Sequence, residues 1–185
     1  MQLESARLTL RDFVLEDWAA VHEWAVLPEA IRFQAWGPNT PEETRAHVQR
    51  AIQATQQQPR TDYTLAAVLD ATGRVIGSGS LLVRSERFRT GEIAYILHPD
   101  FWNQGFGTEI ALSLLGFGFE QLHLHRIAAT CDPRNIASGR VLQKAGLTYE
   151  GRLRQTLLIR DGWRDSDCYA ILEHEWEALC RHDKR

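Results

Sequence analysis

An apolar stretch, Ile93–Leu97, runs through His98-Pro99-Asp100 into Trp102-Asn103-Gln104-Gly105-Phe106-Gly107-Thr108, and a long apolar segment follows at once. A strand that feeds a glycine-bearing turn and opens a helix is a phosphate-binding arrangement. The first helical turn leaves N–H groups unpaired, the helix dipole favours negative charge there, and glycine lets the backbone approach without a Cβ. The ligand is therefore expected to carry a phosphate or pyrophosphate. A dinucleotide fingerprint would need a third glycine where Ile110 stands, and no Gly-Lys-Ser or Gly-Lys-Thr of a P-loop occurs. Both alternatives are disfavoured.

The elements that must position this loop can be read from periodicity. Leu3 to Phe13 alternates as a strand, and Leu15, Trp18, Val21 and Ala25 recur at helical spacing. Thr40-Pro41-Glu42-Glu43 is a capping box with proline at the first helical position, opening a second helix with Val48, Ala51 and Ile52 on its apolar stripe. Tyr63–Leu69 and Val75–Val83, joined by Asp70-Ala71-Thr72-Gly73, predict an antiparallel hairpin that continues into the Ile93–Leu97 strand. The segment from Thr108 to Leu122 has hardly any polar face, which marks a central helix buried on a sheet. Ile127–Cys131 reads as a strand parallel to Ile93–Leu97, followed by a helix that ends with Gly146 as its C′ residue. Asp161-Gly162 predicts a two-residue hairpin turn between Thr156–Arg160 and Trp163–Leu172.

The loop resembles motif A of the GNAT acetyltransferase superfamily, R/Q-x-x-G-x-G/A, with Gly105 and Gly107 in place and Trp102 at the R/Q position. Phe101 to Glu109 is similar to the aromatic-Trp-x-x-Gly-x-Gly/Ala-Thr-Glu variant of the RimJ/RimL branch. Ordered blocks over nearly the whole chain agree: Ser5-Ala6-Arg7-Leu8-Thr9-Leu10-Arg11, Asn135-Ile136-Ala137-Ser138 with Val141-Leu142-Gln143-Lys144-Ala145-Gly146-Leu147, Tyr149 to Arg154, and Asp161 to Asp165 with Tyr169 to Leu172. The resemblance implies one α/β (α+β) domain over residues 1–185. Its expected form is a mixed, mostly antiparallel twisted sheet with about four helices and a central parallel pair splayed at an acetyl-CoA site. It implies an acetyl-CoA-dependent transfer of an acetyl group to a primary amine, either a protein N-terminal α-amine or a small molecule, by direct attack on the thioester. The alternative is a non-catalytic acyl-CoA sensor or scaffold of the same fold.

The same resemblance assigns residues. Gln104, Gly105, Phe106, Gly107 and Thr108 would hold the coenzyme pyrophosphate, and the backbone of Ile96, Leu97 and His98 would pair with the pantetheine arm. Ser138 would hydrogen-bond or protonate the thiolate, whereas a bland reading makes it a first-turn serine. Asn135 caps the helix and would also contact coenzyme. Glu92 is the candidate base, although an exposed strand-end glutamate explains it equally; the glutamate that RimL-like members place further on falls at Leu157 here. Trp24, Phe33 and Trp36 would roof the acceptor site or serve as core under a loop.

Composition narrows the rest. With 185 residues, 44% hydrophobic and 24% charged, the chain is an ordinary globular one, and its formal charge of −3 disfavours general nucleic-acid binding. No membrane-spanning run or leader is evident, so the expectation is cytoplasmic. Three cysteines without C-x-x-C spacing and an isolated His123-x-His125 suggest neither a disulfide framework nor a metal site. The expected partners are an amine acceptor, including a ribosomal-protein N-terminus, with no nucleic acid or membrane; the assembly is a monomer or homodimer.

Overall fold

The computed structural model describes residues 1–182. Eight strands form one sheet: β1 (Gln2–Glu4), β2 (Leu8–Asp12), β3 (Asp62–Leu69), β4 (Arg74–Ser85), β5 (Thr90–Leu97), β6 (Arg126–Cys131), β7 (Thr148–Ile159) and β8 (Gly162–Leu172). Their order is β1-β2-β3-β4-β5-β6-β8-β7, and only β5 and β6 are parallel. The helices are α1 (Trp18–Ala25), α2 (Pro28–Ile31), α3 (Pro41–Ala54), α4 (Phe106–Gly116), α5 (Ile136–Lys144) and α6 (Glu173–His182).

The sheet is covered on both faces. On one, α4 sinks Ile110, Ala111, Leu114 and Leu115, all 0% exposed, among Leu8, Leu10, Leu65 and Leu81. Each such aliphatic side chain contributes roughly 1.5–3 kcal/mol by leaving water. α4 rides directly on β4: a Cβ at Gly79 would stand 2.6 Å from Ile110 Cγ2. On the other face, α1 and α3 bring Val21, Trp24, Val48 and Ala51 against Phe13, Ala66 and Val75. α3 begins as expected, with the Thr40 hydroxyl accepting the Glu43 N–H at 3.2 Å and the Glu43 carboxylate accepting the Thr40 N–H at 2.7 Å.

Four details depart from the sequence reading. The expected strand from Leu3 to Phe13 is a hairpin of β1 and β2, because Ser5 turns the chain by donating its N–H to the Leu8 carbonyl at 2.9 Å and accepting the Leu8 N–H on its hydroxyl at 3.2 Å. The helix expected to reach Leu122 stops at Gly116 and widens into a π-type turn, Phe117–Gln121, which buries both Phe117 and Phe119. Two helices join the four anticipated: the single turn α2, and α6, whose Trp176 stacks on Phe119 at 5.8 Å. Finally, Ile159 pairs with Gly162, so the hairpin turn is Arg160-Asp161 rather than Asp161-Gly162. Long-range partners hold both turn residues: Arg160 donates to the carbonyls of Ile31, Gln34, Trp36 and Gly37, and Asp161 receives Arg134 at 2.6 Å.

The parallel pair is short. β5 and β6 are in register only at Thr90–Arg126, Gly91–Ile127 and Glu92–Ala128, although β5 continues to Leu97 and β6 to Cys131. Beyond Glu92 the strands part, and the gap opens toward the N-termini of α4 and α5.

Candidate active site

The loop between β5 and α4 is shaped by two left-handed residues, Asn103 (φ 58°) and Gly105 (φ 85°). The first intrahelical bond of α4 is Glu109 N–H to Gly105 O at 3.1 Å, which leaves the N–H groups of Gln104 through Thr108 without acceptors among the described residues. Successive free amides around a left-handed residue at a helix start make a concave anion site. The chemistry of this donor set fits a pyrophosphate.

Arg7 and Glu109 brace the loop from behind. Arg7 donates to the Gln104 carbonyl (3.1 Å), clasps Glu109 through Nε and Nη2 (2.9 and 2.7 Å), and lies 4.2 Å above the Phe106 ring. Ser5 adds a hydroxyl bond to Glu109 at 2.8 Å. Partial burial alone would raise the Glu109 pKa, but the bonds from Arg7 and Ser5 outweigh it and hold the carboxyl below its ordinary value. Trp102, at the R/Q position of the motif, donates its indole N–H to the Leu97 carbonyl at 3.0 Å and ties the loop to the end of β5.

Strand alternation decides which β5 groups face the gap. The His98 N–H bonds the Ile76 carbonyl of β4 at 2.8 Å, so His98 and Ile96 turn their polar groups toward β4. The open edge belongs to Ile93, Tyr95 and Leu97. Of the three backbone candidates, only Leu97 therefore faces the gap; Ile96 lines a cleft with its side chain instead, and His98 caps the Pro99–Phe101 turn by accepting the Asp100 N–H at 3.2 Å.

At the floor of the gap, Ser138 and Tyr95 meet. The Asn135 side chain accepts the Ser138 N–H at 3.1 Å, which caps α5 and leaves the Ser138 hydroxyl for the Tyr95 phenol at 3.0 Å. Tyr95 escaped the sequence reading. Burial pushes its pKa up to about 12, so it keeps its proton at neutral pH. Cys131, at the end of β6, is likewise pushed up to about 11 by burial and is a thiol.

On the opposite face of the sheet a cleft of ≈ 740 Å³ lies between α1, the 34–39 loop, α3 and the β4–β5 surface, where Ser78, Ser80, Ala94 and Ile96 form its base. Trp24 and Trp36 line it, the first 1% exposed and mainly a core residue, the second 39% exposed. Phe33 is not brought to the cleft wall; its ring lies near the guanidinium groups of Arg32 and Arg134 (5.2 and 5.7 Å), and its carbonyl receives Arg164. Glu92 is also not among the lining residues, and Arg84 holds its carboxylate at 2.8 Å.

His47 on α3 lines the cleft and packs edge-on to Phe13. Burial, reinforced by the nearby Arg50 charge and only partly opposed by Asp62, holds its pKa below the ordinary 6.5. The folded state thus binds fewer protons here than the unfolded chain, and the associated stability is present above about pH 6.5 and lost as the pH falls toward the folded value. Urea midpoints measured from pH 7.5 down to 5 should fall on acidification, and His47→Gln should flatten that limb; an unchanged slope in the variant would remove His47 as its source.

A sheet whose one parallel pair parts beside an amide-lined helix start defines an acetyltransferase of the GNAT class. The chain belongs to that family: residues 7–148 match the acetyltransferase (GNAT) domain. It is 32% identical over 178 residues to the uncharacterized N-acetyltransferase YnaD of Bacillus subtilis, covering 95% of this chain and 99% of that protein. Among solved structures, a GNAT-family acetyltransferase from Bacillus anthracis superposes with TM-score 0.83 at 30% identity, covering 94% of this chain and 99% of that one. RimL, a ribosomal-protein α-N-acetyltransferase solved with coenzyme A, shares the fold at TM-score 0.81 and 22% identity, covering 93% and 98%.

Proposed function

We propose that the protein is an acetyl-CoA-dependent N-acetyltransferase of primary amines, of the RimJ/RimL kind, working in the cytoplasm as a monomer or homodimer. The observation that carries this reading is the free amide array of Gln104–Thr108 opening beside the parted strands, with the Ser138–Tyr95 pair between them. Bound coenzyme supplies an activated acetyl thioester. The loop amides hold its pyrophosphate, and the N–H groups on the open edge of β5 are placed for its amide arm and acetyl oxygen.

The remaining steps belong to side chains. Ser138 presents a hydroxyl proton to the departing sulfur, and Tyr95 keeps that hydroxyl in place. Glu92 lies on the same strand face as the cleft-lining Ala94 and, held by Arg84, receives the amine proton through water. The cleft admits the acceptor, whether a protein N-terminus of the ribosomal kind or a small amine.

Mixing the protein with acetyl-CoA and a panel of N-terminal peptides, amino acids and polyamines, then titrating released thiol, tests the proposal. Amine-dependent thiol release is expected. Coenzyme binding without release on any amine would reject it and leave an acyl-CoA-binding role.

A further inference from the structure

The acceptor cleft is polar yet has almost no negative charge to offer. The Tyr95 phenol points to the other face of the sheet, and the titratable side chains of the cleft lining are Glu43, His47 and Arg50. The Glu43 carboxylate is committed to the Thr40 N–H at the start of α3, at 2.7 Å. Arg50 has no ion pair or hydrogen bond among the described residues, and neither ring nitrogen of His47 has a hydrogen-bond partner there. His47 adds no charge at neutral pH, for the reasons given above.

A second guanidinium, outside the cleft lining, belongs to Arg164. Arg164 on β8 is only 9% exposed, its Nε is buried without a partner, and it reaches the Phe33 carbonyl and the Ser166 hydroxyl only at 3.4 Å. No carboxylate lies within ion-pair distance of it among the described residues, and the Asp132 charge acts on it from further off. Arg50, exposed and without an ion-pair partner among the described residues, repels further cations and attracts anions. A polyamine, whose several ammonium groups favour several carboxylates, finds only that of Glu43 in the lining. An acceptor that brings its own carboxylate supplies what the cleft lacks.

Building on the amine-acetyltransferase reading, we infer that the acceptor is a primary amine that also carries a carboxylate, and that Arg50 holds that carboxylate. Arg50 sits one helical turn beyond His47 on α3, so both meet the cleft from the same face. A planar guanidinium without competing partners takes a carboxylate in a two-pronged grip. The carboxylate has two sources, a free amino acid or an acidic side chain near a peptide N-terminus.

The test compares kcat/KM for matched acceptors by thiol release: glutamate and aspartate against their side-chain amides, and short peptides with Glu against Gln near the N-terminus, with spermidine alongside. The carboxylate acceptor of a pair should win by about tenfold, as suits a charge-assisted pair. Whichever arm shows the preference identifies the source. In Arg50→Gln the preference should collapse toward one, and in Arg50→Glu it should turn toward Lys-bearing peptides. Arg50 is exposed and unpaired, so these variants should fold. Equal rates within every pair, a faster reaction with spermidine, or a preference that survives Arg50→Gln would overturn the inference while leaving the acetyltransferase standing. Absence of thiol release with every amine would instead overturn the enzymatic reading, and this inference with it.

Discussion

Ser138→Ala should lower acetyl transfer by about 10²-fold, the scale of losing one positioned proton donor, while coenzyme binding persists. The expectation rests on how α5 begins. Asn135 already satisfies the Ser138 N–H, so the Ser138 hydroxyl is not needed as a cap, and its partner is a phenol that keeps its proton at neutral pH. The fold should therefore survive the change. Tyr95→Phe removes the group that orients the hydroxyl and should cost less. If the two act as one unit, the double variant should be little worse than Ser138→Ala alone. Single-turnover rates with isothermal titration of coenzyme A separate chemistry from binding, and an undiminished rate in Ser138→Ala would end the assignment.

Gly105→Val should raise the coenzyme dissociation constant by about 10- to 100-fold, equivalent to the ~1–3 kcal/mol that a β-branched residue loses in a left-handed conformation. At φ 85° the loop can relieve that strain only by rotating its amides off the anion. The two glycines of the motif are not equivalent. A Cβ at Gly105 would meet only Arg7 Nη2 at 3.4 Å, whereas one at Gly107 would face Val141 Cγ2 at 3.4 Å and Tyr95 Cε2 at 3.5 Å. Sequence alone suggests that both make room for the ligand. A Cβ at Gly107 would make ordinary contacts with α5, but the two further methyls of a valine would press on Val141 and Tyr95, so Gly107→Val should lower the melting temperature through overpacking rather than block phosphate. Titrations with coenzyme A and dephospho-coenzyme A, read beside thermal melts, distinguish the two. Unchanged affinity in Gly105→Val would mean that the loop is a packing turn.

The features legible in the sequence are those encoded locally. A left-handed glycine before an apolar helix, the Asn135-x-x-Ser138 start of α5 and the Thr40–Glu43 box each lie within one turn of chain. Gly146, expected as a C′ residue, has φ 93° and donates to Gln143 at 3.0 Å. The features that were hidden depend on distant partners. Arg7 and Glu109 are 102 residues apart, and within its own segment Arg7 is one more strand-end arginine. Tyr95 stands in an apolar run where an aromatic reads as core, and only the parting of β5 from β6 brings it to Ser138. Trp102 departs from the motif as a letter but restrains the loop as a donor. His47 and Arg50 lie on a helix whose apolar stripe is its only periodic signal, so their common cleft emerges with the packing of α3 on the sheet.

The parting of β5 and β6 places an unpaired strand edge in the middle of a sheet. Elsewhere such an edge invites other chains to add on, and proteins protect it with charge, bulges or short strands. Here the Tyr95 phenol, bonded to Ser138 of α5, stands beside the open edge, and α4 packs Phe106 and Ile110 with Ile93 and Leu97 of β5. On the acetyltransferase reading proposed above, the same edge would pair with the amide arm of the coenzyme rather than with another chain. The hazard of an open edge and the capacity to bind would thus share one set of backbone groups, those of Ile93, Tyr95 and Leu97.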